Sequence, residues 1–387
     1  MPDQTVAGVA GEADEPDADR LRLRSAELRH LNESGDSAAQ AIALGEPLVA
    51  DHERLLGPDH PDTLVVQNNL ANAYQAAGRI AEAIPLHERT LASRERLQGP
   101  DHPGTLGSQN NLASAYRAAG RFAEAIPLHE RTLASRERLQ GPDHPDTLGS
   151  QNNLANAYQA AGRIAEAIPL HEQARAGQER VLGPDHPDSL QSQHNLAAIY
   201  QAAGRIAEAI PLHEENLANM ERVLGPDHPD TLQSRDNLAN AYRAAGRTAE
   251  AIVLHEENLA DMERVLGPDH PGTLQSRDNL IASYYVAGRI AEAIPLHEEN
   301  LADMERVLGP DHPGTLQSRG NLAIGYENAG RSAEALPLHE RTLADMERLL
   351  GPDHPGTLMA RRNLDRAYQQ DAGAPSRRRR WGLRRTR

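Results

Sequence analysis

The sequence predicts an all-α protein, a right-handed superhelical solenoid built from antiparallel helix pairs. Three observations carry that prediction. A Gly-Pro-Asp-His-Pro signal opens at Gly57 and returns at Gly99, Gly141, Gly183, Gly225, Gly267, Gly309 and Gly351, always 42 residues apart, so the chain is an array of one structural unit. Within each unit the apolar residues fall at helical spacing, in two stretches parted by a glycine. Cysteine is absent, which excludes disulfides, thiolate metal sites and a cysteine nucleophile, and no apolar run is long enough for a membrane span.

In the first regular unit, Asp59-His60-Pro61 starts a helix, because proline needs no N–H partner in the first turn and Asp or His can cap the free amides. Helix A runs over about 61 to 77, with Leu64, Leu70, Ala71, Tyr74 and Ala77 as its buried stripe. Gly78 stops it, since glycine takes a left-handed C-cap without strain. Helix B runs over about 80 to 98, buries Ile80, Ala83, Ile84, Leu91 and Leu97, and ends at Gly99-Pro100. Pro85 lies past its first turn, removes one backbone hydrogen bond and is expected to bend it. Equivalent prolines stand at 127, 169, 211, 295 and 337, with Val253 the exception. Neither helix buries its stripe alone, so pairs stack on pairs.

Outside the regular units the pattern changes. Residues 1–19 hold six acids among Ala, Gly and Pro and are expected to be a disordered tail. Residues 20–56 read as a degenerate capping repeat, with Leu21, Leu28 and Leu31 in one helix and Ile42, Leu44, Leu48, Val49 and Leu55 in the next. Seven regular repeats fill 57–350. A C-terminal capping helix spans 351–371, with Leu364 and Tyr368 inward and Arg361, Arg362, Asp365, Arg366 and Gln369 outward. Residues 372–387 read as a disordered basic tail carrying Arg377, Arg378, Arg379, Arg380, Trp381, Arg384, Arg385 and Arg387. The chain as a whole has a net charge of −16, so the body before this tail is more acidic still. The start shows no signal-peptide pattern, and a cytoplasmic location is expected.

Asn69-Leu70-Ala71 with Tyr74, Gly78, Ala83 and Leu91 at fixed offsets resembles the tetratricopeptide repeat. The longer period, with His60-Pro61-Asp62-Thr63-Leu64, Asn68-Asn69-Leu70-Ala71 and Glu82-Ala83-Ile84-Pro85-Leu86, is similar to the kinesin light chain type of that repeat, found also in bacterial scaffold and regulatory proteins. All 40 basic residues are arginine, which looks like a GC-rich genome, and a bacterial source is expected. No heptads precede Arg20, so a motor-adaptor role is not implied. The resemblance implies a concave groove lined by helix A that holds an extended peptide or a partner's helix.

The residues point to the same face. A second stripe of helix A, Val65, Asn68, Asn69, Asn72 and Gln75-Ala76, lies about 100° from the core stripe. Its amides offer both donor and acceptor to a peptide backbone. The candidate contacts are Asn68, Asn69, Asn72 and Gln75, then Asn110, Asn111, Ser114 and Arg117, then Asn152, Asn153, Asn156 and Gln159. Later units supply His194, Asn195, Asp236, Asn237, Arg243 and Asp278. The second Asn of each pair never varies and reads either as a bond between neighbouring helices or as a ligand contact. The first varies and is the better ligand candidate. Asp236 and Asp278 make the later part acidic, which favours basic or mixed-charge partners.

Histidine forms two ladders, at His60 and at His87 with their equivalents. Residues on successive repeats stand about 10 Å apart, too far to converge on one ion, so these read as capping or packing residues and no metal is expected. Catalysis needs an asymmetric constellation. Nearly every polar residue here recurs in the same place, and the non-repeated Tyr285, Gln178 and His52 form no motif, so no catalytic site, cofactor or small-molecule substrate is expected. The arginine tail has three readings: a plain solubility segment, a segment docking on the acidic groove of its own or a neighbouring chain, or a contact to nucleic acid or anionic membrane. The acidic body works against the last. The leading functional reading is a noncatalytic protein-interaction scaffold. Its alternative is a regulatory adaptor whose tail contacts nucleic acid or membrane while the array holds a protein.

Overall fold

The computed structural model describes residues 15–34 and 38–373. The arginine tail from Arg377 to Arg387, and most of the acidic N-terminal segment, lie outside the described residues. Within them every element is a helix. Two helices open the chain, α1 (Glu15–Ser34) and α2 (Ala38–Leu55). Helix A of each regular unit is α3 (Pro61–Ala76), α5 (Pro103–Ala118), α7 (Pro145–Ala160), α9 (Pro187–Ala202), α11 (Pro229–Ala244), α13 (Pro271–Val286) and α15 (Pro313–Asn328). Helix B is α4 (Ile80–Gln98), α6 (Phe122–Gln140), α8 (Ile164–Leu182), α10 (Ile206–Val223), α12 (Thr248–Val265), α14 (Ile290–Val307) and α16 (Ser332–Leu350). The last helix is α17 (Pro355–Gly373).

The chain forms two compact units, Met1–Ala203 and Gly204–Arg387. Inside each, a helix packs on the next in sequence, and helices A also meet the next helix A, as α3 meets α5, α5 meets α7 and α11 meets α13. The cores are rows of small and branched side chains. In the first unit Ile84, Leu91, Leu112, Ala115, Tyr116 and Ala125 close around one another. In the second Ile252, Leu259, Leu280, Tyr284 and Ala293 do the same.

Local chemistry sets the helix ends. His60 sits before Pro61 in extended backbone, and its Nδ1 accepts the N–H of Asp62 at 3.2 Å. Gly78 has φ of 73°, with its N–H donating to Gln75 O and that of Arg79 to Tyr74 O, which terminates helix A in the left-handed form expected of glycine. The turn is locked from outside: Arg79 lies over the Tyr74 ring, 4.6 Å from its centroid, and pairs with Glu82, while the Tyr74 hydroxyl donates to Glu46. Helix B runs through Pro85 without a break.

Four expectations are corrected. Helix α1 begins at Glu15, inside the segment read as tail; Glu15-Pro16-Asp17 is a helix-opening sequence, since proline presets φ and acids favour the N-terminal dipole. Leu97 is half exposed, because helix B is longer than helix A and its last turn runs past that cover. Ala77 is exposed as the C-cap residue that follows α3. Tyr368 is exposed, although its hydroxyl still meets Glu340, since no helix B among the described residues follows α17 to cover its ring.

Candidate functional site

The candidate residues separate by column into two structural roles. The column of Asn68 sits where helix A, the following helix B and the next helix A meet, and its side chains are used to join them. Asn68 Oδ1 accepts from Asn111 Nδ2 at 2.9 Å, and Asn110 Oδ1 from Asn153 Nδ2 at 3.0 Å, so first and second Asn bond across neighbouring repeats. The backbone carbonyl of Asn69 accepts from Asn32 Nδ2 at 2.9 Å. Asn152 goes deeper. It is buried, donates to Ser192 Oγ at 2.7 Å and to Gln178 Oε1, and accepts from His171. Asp236 is 1% exposed and bonds Ser276 Oγ and His255 Nδ1. The first Asn, expected to be the better ligand contact, is thus largely a joint. The physical reason is that the next helix A packs over this column, which one helix's periodicity does not reveal.

The column one turn on is different. Asn72, Ser114 and Asn156 are half-buried and make no side-chain hydrogen bond among the described residues. Beside them Gln159 is likewise unpaired, and Arg117 has neither hydrogen bond nor ion pair there. Gln75 is bound to His87 Nε2 at 3.0 Å, and Arg243 donates to Asn279 O at 3.2 Å. His194 is half-buried, and burial lowers its pKa. Asn195 accepts from Gln191, and Asn237 is half-buried.

Two of the cavities bring candidate residues together, one in each unit. Between α7 and α9 a polar cavity of about 440 Å³ gathers Asn152, Asn153, Asn156 and Asn195 with Gln178 and Gln191. Between α13 and α15 one of about 230 Å³ gathers Asp278, Tyr285, His297, Asn321 and Asn328 with Ile281, Ala282 and Ile324. Asp278 differs from Asp236 in being only partly covered, and burial pushes its carboxyl up to about 6 against hydrogen bonds from Asn300 and Ser318.

The histidine ladders have unlike roles. His60, His102, His144, His186, His228, His270, His312 and His354 each accept a backbone N–H at 3.1–3.2 Å as helix caps. The His87 ladder is buried under helix A. Desolvation pushes His87, His129, His171 and His297 down to about 4, which keeps them neutral at neutral pH.

Sequence reasoning passed over one network. Arg235, Arg277 and Arg319 are buried and each bridges two acids: Glu221 and Asp261, Glu263 and Asp303, Glu305 and Asp345. The signal was present. Where the Gln67 column becomes Arg235, Arg277 and Arg319, the Ser93 column becomes Asp261, Asp303 and Asp345.

The tetratricopeptide repeat matches the chain at residues 29–96, 62–137, 105–179, 146–215, 188–260, 237–280, 276–345 and 320–374. Among curated proteins none matches. Of solved structures, the kinesin light chain nearly identical TPR-like repeats of Podosopora anserina are 38% identical, covering 54% of this chain and 98% of that one, with a TM-score of 0.46. BtubC (BKLC) from P. vanneervenii is 21% identical over 65% of this chain and 94% of its own, TM-score 0.46. A Rap protein complexed with Competence and Sporulation Factor is 14% identical over 92% and 99%, TM-score 0.50. Repeats of this kind are typically noncatalytic scaffolds for protein interaction. Matched in overlapping succession from residue 29 to 374, the chain belongs to the tetratricopeptide repeat family.

Proposed function

We propose that the chain is a noncatalytic cytoplasmic scaffold that holds an extended peptide or partner segment across the exposed face of helix A. The observation that carries this reading is the row of half-buried, unpaired groups at Asn72, Ser114, Asn156 and Gln159, beside the unpaired Arg117. Polar groups in such partly desolvated places gain most from a partner that supplies hydrogen bonds, and a peptide backbone supplies them at regular intervals. Repetition multiplies weak contacts through effective concentration. The Rap protein, alike in fold, is solved with a bound factor, so the fold accommodates one.

The test is selection of short peptides from a random library on the full chain, followed by calorimetry on the enriched sequences. Asn72→Ala with Asn156→Ala is expected to weaken binding about tenfold or more while the thermal midpoint stays within a few degrees. Asn110→Ala, which removes a joint between helices, is expected to lower the midpoint instead. A library that yields no enriched peptide, or peptides indifferent to the first pair of changes, overturns the reading.

A further inference from the structure

The cavity between α13 and α15 is where the second unit departs most from its own repeat. The Asn72 column becomes Ala282 and Ile324, the Gln75 column becomes Tyr285, and Gly325 stands where Ala73, Ala115, Ala157 and Ala241 stand elsewhere. These changes fit one another. A Cβ at Gly325 would overlap the Tyr285 hydroxyl, so the glycine is what admits the ring. The ring is then held by His297, edge-on at 5.9 Å between centroids, with the hydroxyl 3.3 Å from Nδ1. His297 is fixed in turn by Ser318 Oγ, 3.0 Å from Nε2.

Asp278 lines the same cavity and is partly covered. Its Oδ1 accepts from Asn300 Nδ2 at 2.8 Å and from Ser318 Oγ at 3.4 Å, and its other oxygen has no partner among the described residues. No cation pairs with it there. Arg277, its neighbour in sequence, is committed to Glu263 and Asp303. A partly desolvated carboxylate without a counter-ion is a costly arrangement that an incoming cation relieves. Ile281, Ala282 and Ile324, which line the cavity with Asp278, are apolar and suit an alkyl stem. Tyr285 offers an aromatic ring to a planar cation, and Asn321 and Asn328 offer acceptors beside it.

We propose that this cavity is the anchor site for one basic side chain, arginine ahead of lysine, of the partner segment, its stem against Ile281 and Ile324 and its cationic head at Asp278. The assignment rests on the scaffold reading for its occupant and is tested apart from it. Arginine is preferred because the guanidinium stacks on an aromatic ring while donating in its plane. His297, held neutral with its pKa near 4, brings no competing charge, and the Tyr285 hydroxyl, raised to about 12, stays protonated.

The experiment titrates Nα-acetyl-arginine-N-methylamide and its neutral citrulline counterpart onto the full chain and follows the methyl signals of Ile281 and Ile324. The arginine probe is expected to shift both methyl signals and to bind at least about tenfold more tightly than citrulline. Near pH 6 its binding is expected to release protons, since a cation draws Asp278 back to the ionised form. Asp278→Asn is expected to abolish the preference and the proton release. Asn152 already shows an amide in that column bonded to the next helix's serine, so the variant keeps its joint. Equal binding of the two probes, binding of neither, or a preference that survives Asp278→Asn overturns the anchor, while the library result for Asn72 and Asn156 stands or falls separately. Probe binding that emerges only after the tail arginines at 377–380 are exchanged for glutamine places the chain's own tail in the cavity and overturns a separate partner as its occupant.

Discussion

The two units solve one packing problem with different chemistry. In Met1–Ala203 the junction behind helix A is neutral on one side: Gln67 donates to Glu53 at 2.7 Å, Gln109 to Glu95 at 3.2 Å, and Thr90 and Thr132 reach their glutamines from helix B. In Gly204–Arg387 the same column is arginine, bridging the glutamate and a new aspartate. The glutamate is common to both, and Arg235, Arg277 and Arg319 each come with an aspartate, whereas Gln67 and Gln109 come with a serine, Gln151 with Gly177 and Gln193 with Asn219. The repeat therefore constrains geometry and leaves the choice of neutral or charged joints open.

Acid breaks the comparison most severely. His87, His129 and His171, all in the first unit, have pKa values depressed to about 4 by burial, against 6.5 in an unfolded chain. A depressed histidine contributes stability that is present above the unfolded value and is lost as pH falls from about 6.5 through about 4, because the unfolded chain takes up the proton first. Each is worth about 3 kcal/mol over that window. Hydrogen exchange measured peptide by peptide between pH 7 and pH 5 is expected to show the first unit losing protection ahead of the second, where burial lowers His297 to about 4 and shifts His339 in the same direction. Parallel loss in the two units would refute the assignment.

Breaking a charged joint comes next in size. Arg319 is 0% exposed and holds Asp345 at 2.7 Å and Glu305 at 2.8 Å. Arg319→Gln removes the buried cation between Asp345 and Glu305, which keep only the exposed Arg348 and Arg341, and is expected to cost about 3–5 kcal/mol in urea unfolding. Adding Asp345→Ser rebuilds the first unit's joint and is expected to recover most of that loss. A double change no better than the single would mean that the two modes are not interchangeable.

How much of this was legible in the sequence depends on what kind of residue carried the signal. Pro61 and Gly78 act through their own backbone, so both ends of helix A could be read from one repeat. Asn68 and Asp236 could not. A helical wheel places them beside the exposed stripe, yet the crossing of neighbouring helices turns that column into the joint, and crossing is a property of two helices. The arginine network was legible in principle, through the paired change of two columns along the array. Tyr285 is non-repeated yet forms no motif in the sequence, because Asp278, His297 and Gly325, which line its cavity, lie on three helices and only packing assembles them.

A smaller effect sharpens the contrast at Asp278. Its carboxyl is raised from 3.8 to about 6, chiefly by desolvation. A raised acid contributes stability below the unfolded value and loses it as pH rises through the folded one. Asp278→Asn is therefore expected to stabilise the second unit at pH 7 by about 1–3 kcal/mol and to leave it unchanged near pH 3. Stabilisation together with loss of the arginine probe would identify Asp278 as a residue kept for binding against the interest of the fold. Destabilisation at pH 7 would mean that its two hydrogen bonds outweigh its desolvation.

The least effect is expected at Val253, the one helix B position of its column without proline. Proline inside a helix ordinarily costs about 3 kcal/mol, from a lost hydrogen bond and a clash with the preceding turn. Here the helices on either side in the array, α10 and α14, carry Pro211 and Pro295 at the same place and run on unbroken. Val253 is exposed, so the ring would displace no packed neighbour. Val253→Pro is expected to change stability by less than about 1 kcal/mol, whereas Glu256→Pro, three residues on, is expected to cost the full amount. If both cost the same, the repeated prolines are tolerated only through compensation specific to each helix, and the column has no common backbone geometry. If Val253→Pro is neutral, that geometry belongs to the repeat itself, and the departures at Tyr285, Gly325 and Asp278 stand out all the more as local to one cavity.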